Sequence, residues 1–312
     1  MTKHKARKVA ARDHSRATGR SYASSLRMLR DDSVDDVHQM RKLGFYPRAF
    51  AQAAMPAYEP ESDTTKWTRH NGNIAVEITA GTTLSNGQPS NVGLPYGVVA
   101  RALIAFLATK MTESGSSRIV LPLSPDAFMR TLGVRGECGD QDVEEWLCNH
   151  IERVCSARFS ARWNGTKRQD SGDDGNVAIM IADSWGVDWR EPDVEPFIQC
   201  TEEFHTEVIR NAIPIDLKAF RSMFRSPLCV DLYLWLGARI RHVTRSVVVP
   251  FRLLNIQMGH PVATNNEQLD EFTDRVVDHL AHILTVYPKL NVKVTPGGLR
   301  LMPSPDHIDP QP

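Results

Sequence analysis

The sequence predicts an α+β, helix-rich fold, and three observations carry that reading. Apolar residues recur at helical spacing over several long stretches. Short alternating runs lie between them, such as NIAVEIT over 73–79, and these suit strands. Capping residues, Pro and Gly stand where the helices should start and stop.

The elements follow in order. In LPYGVVARALIAFLAT, Leu94, Val98, Val99, Ala102, Leu103, Phe106 and Leu107 form one apolar helical stripe. RIVLPL (118–123) is a short strand. SPDAFMRTLGV reads as a helix with Ser124 as N-cap, Pro125 at its first position and Gly133 as its stop. A longer helix is expected over about 140–157, with Val143, Trp146, Leu147, Ile151, Val154 and Cys155 inward. RFSARWN alternates, a polar loop follows, and VAIMIADSW (177–185) returns as a strand. Helix, strand, helix, helix and hairpin is the order of a winged helix, a helix-turn-helix closed by a β-hairpin wing.

The pattern recurs over 195–303 without being a strict repeat. FIQC is a short strand, and TEEFHTEVIRN a helix capped by Thr201. IPIDLKAFRSM reads as a short helix. SPLCVDLYLWLGARI is apolar nearly all round, so it should be a buried central helix. VVVP is a strand and FRLLNIQMG a helix. NNEQLDEFTDRVVDHLAHIL is a long helix, with Asn265 or Asn266 as its cap. LNVKVT and LRLMP flank a Pro-Gly-Gly turn. GTTLSNGQPSNVG (81–93) reads as turn chemistry.

The expected organisation has four parts. Residues 1–30 form a basic, helix-turn-helix-like module, and 31–66 a partly disordered linker. Residues 67–190 form a first winged-helix domain, and 195–308 a second.

Lys+Arg and Asp+Glu both number 37, so the net charge is zero, but its distribution is uneven. Residues 1–30 hold nine basic residues and one acid, which leaves the remainder net negative by 8. A basic end on an acidic body is a cue for contact with a polyanion. No apolar run reaches the roughly 20 residues of a membrane helix. No apolar stretch follows the basic start as a secretory signal would require. The five cysteines show no CxxC spacing, as expected of reduced thiols in a cytoplasm.

Catalytic signatures are absent. There is no phosphate loop, GxSxG or GxGxxG. Glu144–Glu145 and Asp173–Asp174 read as solvated charge rather than acid/base pairs. His279 and His282 lack a third metal ligand near in sequence, so they read as a solvated pair. Trp163 or Trp189 could stack on a single strand, but a core role is the stronger reading for both. The expectation is a protein with no catalysis, no metal and no cofactor.

From 67 to 308 the chain resembles the plasmid-encoded replication initiators of the RepA type. The segments that carry the resemblance are RHNGNIAVEITAGTT, GLPYGVVARALIAFLAT, SPDAFMRTLGV, FHTEVIRNAIPIDLKAFRSMFRSPLCVDLYLWLGARI, PFRLLNIQMG and GLRLMPSPDHI. SPLCVDLYLWL and MPSPDHI are the more specific of them. The resemblance implies a protein that binds repeats in a plasmid origin as double-stranded DNA. It implies help in opening the duplex, and recruitment of a host replication initiator, helicase or helicase loader. A transcriptional regulator or partition-type adaptor on the same scaffold is the alternative.

In winged helices the third helix of each unit enters the major groove and the wing touches phosphate. Here both third helices are acidic. One shows Asp140, Asp142, Glu144, Glu145 and Glu152 against Arg153. The other shows Glu267, Asp270, Glu271, Asp274 and Asp278 against Arg275. Carboxylates repel phosphates, so these faces suit partner binding through Asp270, Glu271 and Asp274, or a homodimer. The candidate DNA contacts are then Lys5, Arg7, Lys8, Arg12, Arg16, Arg20 and Arg27 in the basic end, and Lys167 and Arg168 in the first wing. Arg241, Arg245, Arg275, Lys293 and Arg300 complete the set.

Overall fold

The computed structural model describes residues 43–308 except 53, 73, 86, 135–141, 164–175, 192 and 260. The basic module 1–30 and the pair Lys167 and Arg168 lie outside the described residues. Among those described, the chain forms eight α-helices and several small sheets, and every strand pairing is antiparallel. Antiparallel pairing throughout makes the fold α+β in type.

Strand β1 (Leu43–Tyr46) pairs with β11 (Ile213–Asp216), and a 3-10 turn spans Phe50–Gln52. Tyr46, Phe50, Ala51 and Met55 are buried, and Phe50 stacks on Phe159 at 4.3 Å between centroids. Of the linker expected over 31–66, Tyr46, Phe50, Ala51, Ala54 and Met55 are therefore part of the core, while Tyr58 and Glu61 to Asp63 are exposed. Tyr46 and Phe50 lie far in sequence from the partners that bury them, so local reading could not place them.

Strands β2 (Lys66–Asn71), β3 (Ile74–Thr79), β7 (Arg158–Trp163) and β8 (Asn176–Met180) form a four-stranded sheet in that order. The expected turn region holds a hairpin instead, β4 (Gly81–Ser85) with β5 (Gln88–Gly93). Turn chemistry is confined to its tip, where Gly87 takes a φ of 76°.

Helix α1 (Gly97–Ser114) is buried on all sides, where a single stripe was expected. It packs against β1, α3 (Val143–Ser156), α4 (Glu202–Asn211) and α6 (Pro227–Ile240). Each fully buried Leu, Ile, Phe or Met on it contributes about 1.5–3 kcal/mol. Helix α2 (Pro125–Leu132) starts and stops as its sequence implies. The Ser124 side chain accepts from the Ala127 amide, and Gly133 ends the helix at a φ of 83°. Helix α3 starts at Val143, because Asp142 caps it by accepting from the Glu145 amide. Leu147, Ile151, Val154 and Cys155 point inward as expected.

The strand β10 (Phe197–Cys200), expected to open the second domain, joins the first by its hydrogen bonds. It lies between β6 (Arg118–Val120) and β9 (Ala182–Gly186). One hydrophobic cluster runs from Tyr46 to Leu301, so the two expected units share their core. IPID is the strand β11 rather than the start of a helix, and Asp216 then caps the short α5 (Leu217–Ser222).

Helix α6 is the buried central helix expected, with Leu232, Leu234, Trp235 and Leu236 all inside. After it come β12 (Val247–Pro250), α7 (Phe251–Met258), α8 (Asn266–Val286), β13 (Val292–Thr295) and β14 (Gly298–Leu301). Asn265 caps α8 by accepting from the Gln268 amide at 2.9 Å. Strand β14 sits between β12 and β13.

The segment MPSPDHI ties the C-terminal end to α6 and α8. Asp306 accepts from Arg241, the His307 Nδ1 lies 3.0 Å from the Tyr233 hydroxyl, and the Tyr287 hydroxyl donates to the Pro305 carbonyl.

Candidate nucleic-acid interface

The last sheet presents a basic row. In its register Val248 faces Arg300 across β12 and β14, and Arg300 faces Lys293 across β14 and β13. All three are exposed, while Val249, Val292, Leu299 and Leu301 are buried beneath. Like charges directly opposed across strands cost about 0.2–1 kcal/mol. Among the described residues no carboxylate lies within ion-pair distance of either cation.

The hairpin holding this row is rigidly turned. Gly298 has a φ of 152°, and a Cβ there would overlap the Val249 carbonyl oxygen. The Thr295 hydroxyl donates to the Gly298 carbonyl at 2.8 Å.

A second basic group lies at the end of α6 and just beyond. Arg239, Arg241, His242 and Arg245 fall within seven residues. Arg241 is engaged by Asp306, with its Nε at 2.9 Å and Nη2 at 2.8 Å from one carboxylate oxygen, which leaves little of its charge for a phosphate. Arg239 and Arg245 have no carboxylate within ion-pair distance among the described residues. Together with Arg48 and His242 they line a recess of about 450 Å³. Lost solvation, then the neighbouring Arg48 and Arg241 charges, lower the His242 pKa and favour its neutral form. Val247 of β12 also lines the recess, so that strand borders both basic groups.

Of the acidic residues read on α3, Asp142 and Glu145 are exposed, Glu144 and Glu152 are half-buried, and Asp140 lies outside the described residues. On α8, Glu267, Asp270, Glu271, Asp274 and Asp278 are exposed. Arg275 is exposed on the same helix as Glu271, Asp274 and Asp278. Asp278 accepts from Arg225 at 2.6 Å. On α3, Glu144 pairs with Arg190 at 3.4 Å, and Arg153 is bonded to Glu59.

Several residues take more ordinary roles. His279 is buried, with its Nδ1 3.7 Å from Asp278 and without a hydrogen bond, and His282 lies with its Nε2 3.0 Å from the Ser222 carbonyl, so the expected joint solvation of the pair is not seen. Trp189 is buried and donates to the Pro122 carbonyl, which is the core role. Cys155, Cys200 and Cys229 are buried, and burial pushes the Cys200 and Cys229 thiols up to about 12. Among the described residues no three His, Cys, Asp or Glu side chains gather as a metal site would require, and no described helix is long and apolar enough to cross a membrane.

The sequence reading missed Arg48, Arg239 and His242. The run RIRH was visible, but nothing local tied it to Arg48, far earlier in the chain.

Residues 94–248 match the family model for plasmid encoded RepA protein. That stretch, just under half of the chain, is similar to RepA proteins. That segment runs from just before α1 to Val248 in β12. It therefore contains α6 and Arg239, His242 and Arg245, while Arg48, Lys293 and Arg300 lie outside it. Two solved structures align over most of the chain at low likeness. One is of RctB domains 2-3, at 12% identity and a TM-score of 0.43, covering 80% of this chain and 85% of that one. The other is of selenomethionine derivatives of domain 2 and domain 3 of RctB, at 12% identity and 0.47, covering 81% and 96%. No curated protein matches the chain.

Proposed function

We propose that this protein is a plasmid replication initiator that binds repeated duplex sites in its own origin. The observation that carries the reading is the RepA family match over 94–248. Helix α6, strand β12, helices α7 and α8, and the hairpin β13–β14 follow one another in the order of a winged helix. In this reading the hairpin is a wing, and Lys293 and Arg300 are its phosphate contacts. The acidic α8 face stays off the duplex. It serves a basic surface on a host replication protein, such as an initiator, helicase or loader, through Asp270, Glu271 and Asp274. The reading assigns no catalysis and no cofactor to the chain.

The test is binding of the full chain to its flanking plasmid DNA, tiled as short duplexes at physiological salt. The expected result is a specific complex on repeated sites, about a thousandfold or more tighter than on random DNA. Weak, uniform binding everywhere would overturn the reading. Reversing Asp270, Glu271 and Asp274 to Lys should spare origin binding and lower plasmid copy number. Unchanged copy number would remove the host-contact assignment.

A further inference from the structure

The recess beside α6 has no role in this reading. It forms where three parts of the chain meet: the loop after β1, the end of β2, and the C-terminal end of α6 with the residues that follow. Arg48 comes from the first, and Arg239, His242 and Arg245 from the last. No carboxylate lines it. The cations after α6 have a structural use, since positive charge suits a helix C-terminus. Arg48 does not share that use. It belongs to another segment and adds charge where charge of the same sign already stands.

The rest of the lining is mixed. Gln52 and Asn71 bring amides, and Asn71 Nδ2 donates to the Gln52 carbonyl at 2.9 Å, which ties the two walls together. Trp235 and Ala238 supply an apolar wall. A volume of about 450 Å³ falls in the range of small-molecule sites, roughly 300–1,000 Å³. Convergent cations, a few neutral hydrogen-bonding groups and an apolar wall suit a ligand with a phosphorylated end and a less polar body. Duplex DNA presents its phosphates on a convex surface, which fits the exposed hairpin row better than a recess.

We propose that the recess lined by Arg48, Arg239, His242 and Arg245 binds a soluble phosphorylated ligand of about nucleotide size. Guanidinium groups favour phosphate because their planar donor forks match its oxygens. The site is separate from the hairpin row, so it stands or falls without the initiator reading.

The experiment is calorimetric titration of the full chain with inorganic tripolyphosphate at low ionic strength. One saturable site is expected. Arg48→Ala and Arg239→Ala should each weaken it tenfold or more, while Lys293→Ala with Arg300→Ala leaves it unchanged. Circular dichroism checks that each variant folds, and Arg48→Ala serves alone if Arg239→Ala does not. Origin-duplex affinity should be unchanged in both single variants. No saturable binding, or equal affinity in wild type and both variants, would overturn the proposal. If tripolyphosphate fails to bind and the same variants weaken the origin complex, DNA phosphates fill the recess. The small-ligand proposal then falls and the initiator reading stands.

Discussion

Arg101 on α1 and Asp231 on α6 form a two-pronged ion pair inside the core, with Nε and Nη2 each 2.6 Å from a carboxylate oxygen. The Arg101 side chain is fully buried. Its remaining donors reach the carbonyls of Met55, Pro56 and Gly97 at 2.8, 3.3 and 2.7 Å. All five guanidinium donors are thus used. The pair joins the two buried helices and pins the segment before α1 against both. That same segment carries Arg48 to the recess.

Breaking this pair should therefore be costly. Asp231→Ala leaves a buried guanidinium uncompensated, and the expected loss is about 3–5 kcal/mol. Urea unfolding at neutral pH measures it. A loss below about 1 kcal/mol would show that the pair does not hold the two helices together.

Arg300→Glu should move stability and binding in opposite directions. It converts the Lys293–Arg300 opposition into an attractive cross-strand pair. Stability should rise by about 0.2–1 kcal/mol. Duplex affinity should fall, and the slope of log affinity against log salt should shrink by about 0.9 for each phosphate left without its cation. Thermal melts and binding across a salt series read the two effects. A variant that binds duplex as well as the parent would remove the hairpin from the interface.

The two glycines of the last turn should differ. A Cβ on Gly298 meets the backbone of Val249 and Pro250, whereas a Cβ on Gly297 meets nothing within 4 Å. Gly298→Ala should cost about 1–3 kcal/mol, because a strained φ is joined to a clash with β12. Gly297→Ala should lie within about 0.5 kcal/mol of the parent. Equal effects, measured by denaturant unfolding, would mean that the close approach to β12 is relieved at little cost.

Acid should destabilise the fold partly through His150. Burial pushes its pKa down to about 4, and Arg153 adds to the effect. Its ring lies 4.9 Å from that of Tyr96 and 4.8 Å from that of Trp146, with Nδ1 unpartnered. The unfolded chain takes up a proton near the usual value of about 6.5, and the native state takes it up only near 4. Stability is therefore fully present above about pH 6.5 and is lost as pH falls toward 4. His150→Phe should flatten that limb when unfolding midpoints are compared at pH 7 and 4.5. An unchanged limb would assign the acid sensitivity to other groups.

Much of the fold was legible because its signals are local. Ser124, Thr201 and Asn265 were read as caps, and each accepts from the amide three residues on. The buried character of α6 showed in its unbroken apolar composition. The edges of the reading failed where burial depends on distant partners. Residues 43–56 look like a polar-flanked linker until β11 and Phe159 cover them. Arg101 sits in an apolar stretch, and only Asp231, 130 residues later, makes its burial tolerable.

The candidate site divides in the same way. Lys293 and Arg300 could be named from sequence, since a tight Pro-Gly-Gly turn places two short strands side by side. Arg241 was named too, but Asp306 neutralises it, and that pairing needs the C-terminal segment folded back onto α6.

By itself, the sequence determined most of the helices, their caps, the acidic face of α8 and the likeness to RepA proteins. Each of these is written in neighbouring residues, where spacing and capping chemistry act over a few positions. The shared core, the buried Arg101–Asp231 pair and the meeting of Arg48 with Arg239, His242 and Arg245 were decided only by tertiary structure. Loss of solvation and charge pairing depend on distance in space, and residues far apart in sequence acquire that distance only when the chain folds.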